Sequence, residues 1–131
     1  MRTTSRTAAV TLGLAAGGLA IGLLAPAANA QTNLTQTLTP GQKVCITASP
    51  SPTYQIRANG SATGAGAHFQ VKFNGTVIGS SYDGHTVSYA AEYRTSFGNF
   101  PGRGTYQLCA ADNNTTNTKV TLQFLTDAEL G

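Results

Sequence analysis

The stretch His68 to Ser81, HFQVKFNGTVIGSS, decides the fold class. Phe69, Val71 and Phe73 alternate with Gln70 and Lys72. That two-residue period belongs to a strand with one buried face, because successive side chains of an extended chain point to opposite sides. Asn74-Gly75 follows, and these residue types accept the two positive φ angles of a type I′ turn. Thr76 to Ile78 then lead back along the first strand. The segment is a β-hairpin.

The same pattern extends in both directions. Thr35–Thr39, Lys43–Ala48 and Thr53–Ala58 read as strands before the hairpin, with Asn59-Gly60 closing the third as a turn. After it come HTVSYAAEYRTSF (His85–Phe97), with Val87, Tyr89, Ala91 and Tyr93 in one phase, then TYQLCA (Thr105–Ala110) and TKVTLQFL (Thr118–Leu125). Gly, Asn and Pro punctuate at intervals of about ten residues, the spacing of a sandwich or barrel. No stretch after residue 30 carries a 3.6-residue period, and TDAEL (Thr126–Leu130) has room for a single helical turn. The expected fold is a single all-β, two-sheet antiparallel β-sandwich of seven or eight strands, with a jelly-roll or immunoglobulin-like arrangement.

Residues 1–30 read as a secretory signal peptide, which places the β-sandwich domain at residues 31–131. Arg2 and Arg6 precede an uncharged apolar run from Ala8 to Leu24, Pro26 breaks it, and Ala28-Asn29-Ala30 is a small-x-small cleavage pattern. The composition of the leader is of the bacterial kind, and the protein is expected to be extracellular with no membrane attachment once the leader is removed. Without the two leader arginines the formal charge falls from +3 to +1. No cationic stripe remains, so nucleic acid is not an expected partner.

Cys45 and Cys109 both lie in the exported part, where a disulfide is the default. Cys45 is out of phase with Val44 and Ile46, and Cys109 is out of phase with Tyr106 and Leu108. Both therefore point away from the core face. Bridging requires Cα atoms within about 7 Å, which same-face neighbours on paired strands satisfy. The strands 43–48 and 105–111 are thus expected side by side, linked on the outer face of one sheet. PGRGTYQLCAADN (Pro101–Asn113) resembles the GTY-hydrophobic start of a late strand in bacterial extracellular sandwiches such as pre-peptidase C-terminal domains. That resemblance spans about a dozen residues, implies the sandwich class and carries no functional residue with it. An immunoglobulin domain proper fits poorly, because Tyr106 and Cys109 are three apart and the chain has no tryptophan.

Chemistry-bearing residues are few. SSYDGHT (Ser80–Thr86) holds Ser, Asp and His, but a nucleophile needs its base at about 3 Å and a third group behind it. Polar sets of this kind are turn formers. His68 and His85 lack a third metal ligand, and the single carboxylate of Asp112 is too little for calcium. No catalytic set, metal or cofactor is expected. Among the aromatic residues, Tyr54, Tyr82, Phe97 and Phe100 fall outside the clear inward phases. Together with Arg103 they are the candidate ligand-binding residues, since ring faces offer apolar area at small entropic cost. The simpler expectation for Phe97 and Phe100 is that they tuck beneath their own loop. The expected function is a small secreted, non-enzymatic module acting through surface loops on carbohydrate, cell-wall polymer or a protein partner. The alternatives are an extracellular protease or hydrolase inhibitor using the 97–104 loop, and a structural cell-surface protein.

Overall fold

The computed structural model describes residues 32–130; the leader expected over residues 1–30 lies outside them. Eight strands follow in order: β1 (Asn33–Leu38), β2 (Lys43–Thr47), β3 (Gln55–Ala62), β4 (His68–Phe73), β5 (Thr76–Ser80), β6 (Ser88–Arg94), β7 (Tyr106–Ala111) and β8 (Thr118–Thr126). Short 3-10 turns occupy Thr95–Phe97 and Asp127–Leu130. Pairing sorts the strands into two four-stranded antiparallel sheets, β1-β8-β3-β6 and β2-β7-β4-β5. Every connection except the β4–β5 hairpin crosses from one sheet to the other. This interleaving is the strand order of a jelly roll, two Greek keys wrapped into a sandwich.

Alternation along each strand builds the core. Ile46, Phe69, Val71, Tyr106, Leu108 and Ala110 come from one sheet; Ile56, Ala58, Val120, Leu122 and Phe124 come from the other. All of these are at most 3% exposed. Full burial of each larger side chain contributes roughly 1.5–3 kcal/mol of transfer free energy. The hairpin that defines the fold class has the expected turn, with φ of 48° at Asn74 and 86° at Gly75.

β2 and β7 are neighbours, and their register places Cys45 directly opposite Cys109. The two are disulfide-bonded with Cα atoms 4.0 Å apart. The bridge lies on the outer phase of its sheet, yet Cys109 is only 2% exposed. The reason is position: β7 is a central strand, so Cys109 is flanked by Cys45 on one side and Gln70 on the other.

Two local readings change. Asn59-Gly60 is no turn but the middle of β3, which continues to Ala62 between β8 and β6. Gly60 faces inward, and a Cβ there would lie 2.7 Å from Cδ1 and Cε1 of Phe69. The glycine is required by the ring packed against it. Val87, in phase with the tyrosines of β6, precedes the strand and is exposed.

Candidate functional site

The five candidate residues do not converge. β5 runs back beside β4, so the segment 81–87 lies at the end where β4 begins. There Asn114 Nδ2 donates to the carbonyls of Gly66 and Gly84, tying three connections together (2.9 and 3.2 Å). Tyr82 stands alone at this end and is fully exposed. Tyr54, Phe97, Phe100 and Arg103 belong to the opposite end, roughly 20 Å away at about 3.4 Å per strand residue. Thr95 N–H donates to the Tyr54 carbonyl (3.0 Å), and Gly104 N–H donates to Ser51 Oγ (2.9 Å). These bonds join the 49–54 and 95–104 segments.

The two phenylalanines divide. Phe97 does not tuck beneath its loop; it is 62% exposed, and the Arg94 guanidinium lies over its ring at 5.4 Å. Phe100 is half-buried, packs against the core and stacks on Tyr106 with ring centroids 6.3 Å apart. Tyr54 is 44% exposed and Arg103 is exposed.

The loop between β6 and β7 is held along its length. Gly98, in the left-handed region at φ 76°, closes the 3-10 turn by donating to the Thr95 carbonyl. Asn99 accepts the Arg94 N–H at 2.8 Å and donates from Nδ2 to the Glu92 carbonyl at 3.0 Å. The buried Tyr106 hydroxyl donates to the Gly102 carbonyl at 2.6 Å, and Thr105 N–H donates to Asn74 Oδ1 at 2.9 Å. Burial, only partly offset by the Gly102 contact, pushes the Tyr106 hydroxyl up to about 12. Next to this loop, Asp127 caps the start of β3. Its carboxylate accepts the N–H groups of Thr53 and Tyr54 at 2.9 and 3.0 Å, with Gln55 at 3.4 Å. Burial pushes that carboxyl up, but the N–H donors outweigh it and hold the group below the usual carboxylate range.

The exposed face of the β1-β8-β3-β6 sheet is a feature that reading by loops missed. Register aligns Thr35, Thr121, Ser61 and Ser88 in one row of hydroxyls across the four strands. The next row is Asn33, Gln123 and Asn59, all amides, ending at Ala90. Between them the surface sinks into a shallow groove of about 430 Å³. The third row pairs Arg57 with Glu92 across β3 and β6. Asn59 Nδ2 donates to Gln123 Oε1 within the amide row at 3.4 Å, and Arg57 Nε links the third row to it by donating to Asn59 Oδ1 at 2.9 Å. Arg57 Nη1 lies 3.7 Å from Glu92 Oε1, and Glu92 Oε2 accepts from Arg94 Nε. The chain of contacts therefore runs from Gln123 to the Arg94 guanidinium over Phe97.

SSYDGHT is turn chemistry in three dimensions. The Asp83 carboxylate accepts the His85 N–H at 2.9 Å, and Ser81 Oγ accepts the Phe69 N–H at 2.9 Å and donates to the Asp83 carbonyl. Ser80 Oγ is 3.1 Å from His68 Nε2, while His85 Nδ1 faces the Ala65 carbonyl at 3.3 Å. The Asp112 side chain is fully buried and serves its own turn, accepting the Asn114 N–H at 2.9 Å. Among the described residues no three His, Cys, Asp or Glu side chains group as metal ligands. The chain matches no protein-family model and no curated protein.

Proposed function

We propose that the protein is an exported, non-enzymatic module that binds an extracellular carbohydrate or cell-wall polymer through the end of the sandwich that carries Tyr54, Phe97 and Arg103. The observation that supports this most directly is the exposed Phe97 ring, held in place on a hydrogen-bonded loop. A large ring kept in solvent on a braced loop is a pre-organised contact, and binding through it immobilises little that is mobile beforehand. Phe100 is the foundation of that loop, stacked on Tyr106. The disulfide suits an oxidising compartment outside the cytoplasm.

Co-sedimentation with insoluble polysaccharides and isolated cell walls tests the reading. Wild-type protein is expected in the pellet, and Phe97→Ala is expected to weaken retention roughly tenfold, as truncation of an aromatic hot spot does. Retention on none of these polymers refutes the proposal. The bracing of residues 98–105 also favours the second reading, inhibition of an extracellular hydrolase by a rigid loop. Full protease and glycosidase activity at stoichiometric protein refutes that one.

A further inference from the structure

We infer that the exposed face of the β1-β8-β3-β6 sheet is a binding track for a neutral polysaccharide chain, continuous with the Phe97 platform. This rests on the reading of the protein as a polymer-binding module, and adds both the surface and the charge class of the polymer. Three observations carry it. The first is shape: the sheet face holds a groove of about 430 Å³, within the size range of roughly 300–1,000 Å³ seen for ligand sites. From Ser88 to Arg94 the face runs about 20 Å at 3.3–3.4 Å per residue, room for several sugar units in line.

The second is the chemistry of the lining. Hydroxyls and primary amides each both donate and accept hydrogen bonds. Thr35, Ser61, Ser88 and Thr121 form one row and Asn33, Asn59 and Gln123 the next. Sugar hydroxyls have the same dual character, so either partner can reverse its role along a repeating chain. A peptide would need apolar pockets for alternate side chains, whereas the side chains of the two rows that rim the groove are polar except Ala90.

The third is charge. The one cation lining the groove, Arg57, is 3.7 Å from Glu92. Glu92 also accepts from Arg94, whose guanidinium covers Phe97. Within the groove an anionic chain would meet only a cation already paired to a carboxylate, whereas a neutral chain there meets no unpaired charge to desolvate. The same three side chains connect the amide row to the aromatic ring, so one extended ligand can touch both.

Affinity electrophoresis of the protein in gels containing dextran, galactomannan or mixed-linkage β-glucan tests this, with polygalacturonate as the anionic control. Retardation by at least one neutral polymer is expected, about tenfold weaker for the double variant Asn59→Ala/Gln123→Ala, the loss of one or two net hydrogen bonds. Phe97→Ala serves as comparator. Retardation that Phe97→Ala abolishes and the double variant leaves intact overturns the track while the polymer-binding reading stands. Preference for polygalacturonate overturns the neutral class. No retardation in any gel overturns both. Should the double variant unfold, two-dimensional NMR of labelled wild-type protein decides: soluble oligosaccharides of the retarding polymer must shift the side-chain amides of Asn59 and Gln123, and unmoved amides refute the track.

Discussion

Gly60→Ala is the sharpest test of the packing. Gly60 lies in a central strand, flanked by Tyr89 of β6 and Leu122 of β8, with its open side against the ring of Phe69. A methyl group there meets Cδ1 and Cε1 of that ring at 2.7 Å, about 1 Å inside the usual carbon contact of about 3.5–4.0 Å. The ring has little room to retreat: Phe69 is fully buried and stacked on Tyr89 at 5.7 Å with planes 5° apart. Overpacking of this kind costs about 1–3 kcal/mol, equivalent to a Tm lower by roughly 4–8 °C for each kcal/mol in a domain of this size. Chemical denaturation of Gly60→Ala, Phe69→Leu and the double variant forms a cycle. Phe69→Leu opens the space the methyl needs, so Gly60→Ala is expected to cost under about 0.5 kcal/mol in that background. Additive losses, or a single variant as stable as wild type, refute the argument that the ring dictates the glycine. A turn glycine would behave differently, with a backbone penalty that Phe69→Leu leaves unchanged.

Other outcomes follow from the same structure. Replacing both Cys45 and Cys109 by Ala releases a loop with a sequence separation of 64; the chain-entropy estimate is a loss of about 4 kcal/mol, read as a lower denaturation midpoint, and a loss below about 1 kcal/mol contradicts it. Phe100→Ala is expected to destabilise by roughly 1–3 kcal/mol through the gap left on Tyr106, while Phe97→Ala changes stability by less than about 1 kcal/mol; equal losses would mean that the two rings share one role. The Asp127 carboxyl titrates below its unfolded value, so its contribution is present above about pH 4 and is lost as the pH falls through the folded value. Asp127→Asn should therefore flatten the acid limb of the stability profile, and an unchanged acid limb removes Asp127 from it. Tyr89 and Tyr106 are both pushed up to about 12, chiefly by burial. The folded state thus retains protons that the unfolded state releases above about pH 10, and stability should fall between pH 10 and 12. Tyr89→Phe should lessen that fall, and an identical alkaline profile refutes its share.

Much of the candidate site was hidden in the sequence for a simple reason. Asn59, Ser61, Thr121 and Gln123 occupy the outer phase of their strands, where polar residues are the ordinary solvent-facing complement of a buried face. Nothing local separates a solvated face from an organised one. Thr35 and Thr121, whose hydroxyl oxygens lie 3.2 Å apart, are 86 residues apart in the chain. Only the order β1-β8-β3-β6 brings them together. Phe97 and Phe100 are three residues apart in one loop and share every compositional argument. They diverge because Phe100 finds Tyr106 beneath it while Gly98 and Asn99 turn Phe97 outward.

What the chain determined by itself is what covalent geometry makes local. Alternation every two residues marks strands and their buried phase, Asn74-Gly75 makes a hairpin turn, and the phase of two cysteines requires strands 43–48 and 105–111 to pair. The first two need no knowledge of distant neighbours, and the third needs only the covalent link between two cysteines 64 residues apart. Tertiary structure decided the rest, because hydrogen-bonded pairing and close packing join segments that are remote in sequence. It chose the jelly-roll order among sandwiches and drew Asn59-Gly60 into a central strand, where Phe69 leaves space for hydrogen alone. It also assembled amides and hydroxyls from four strands into one groove.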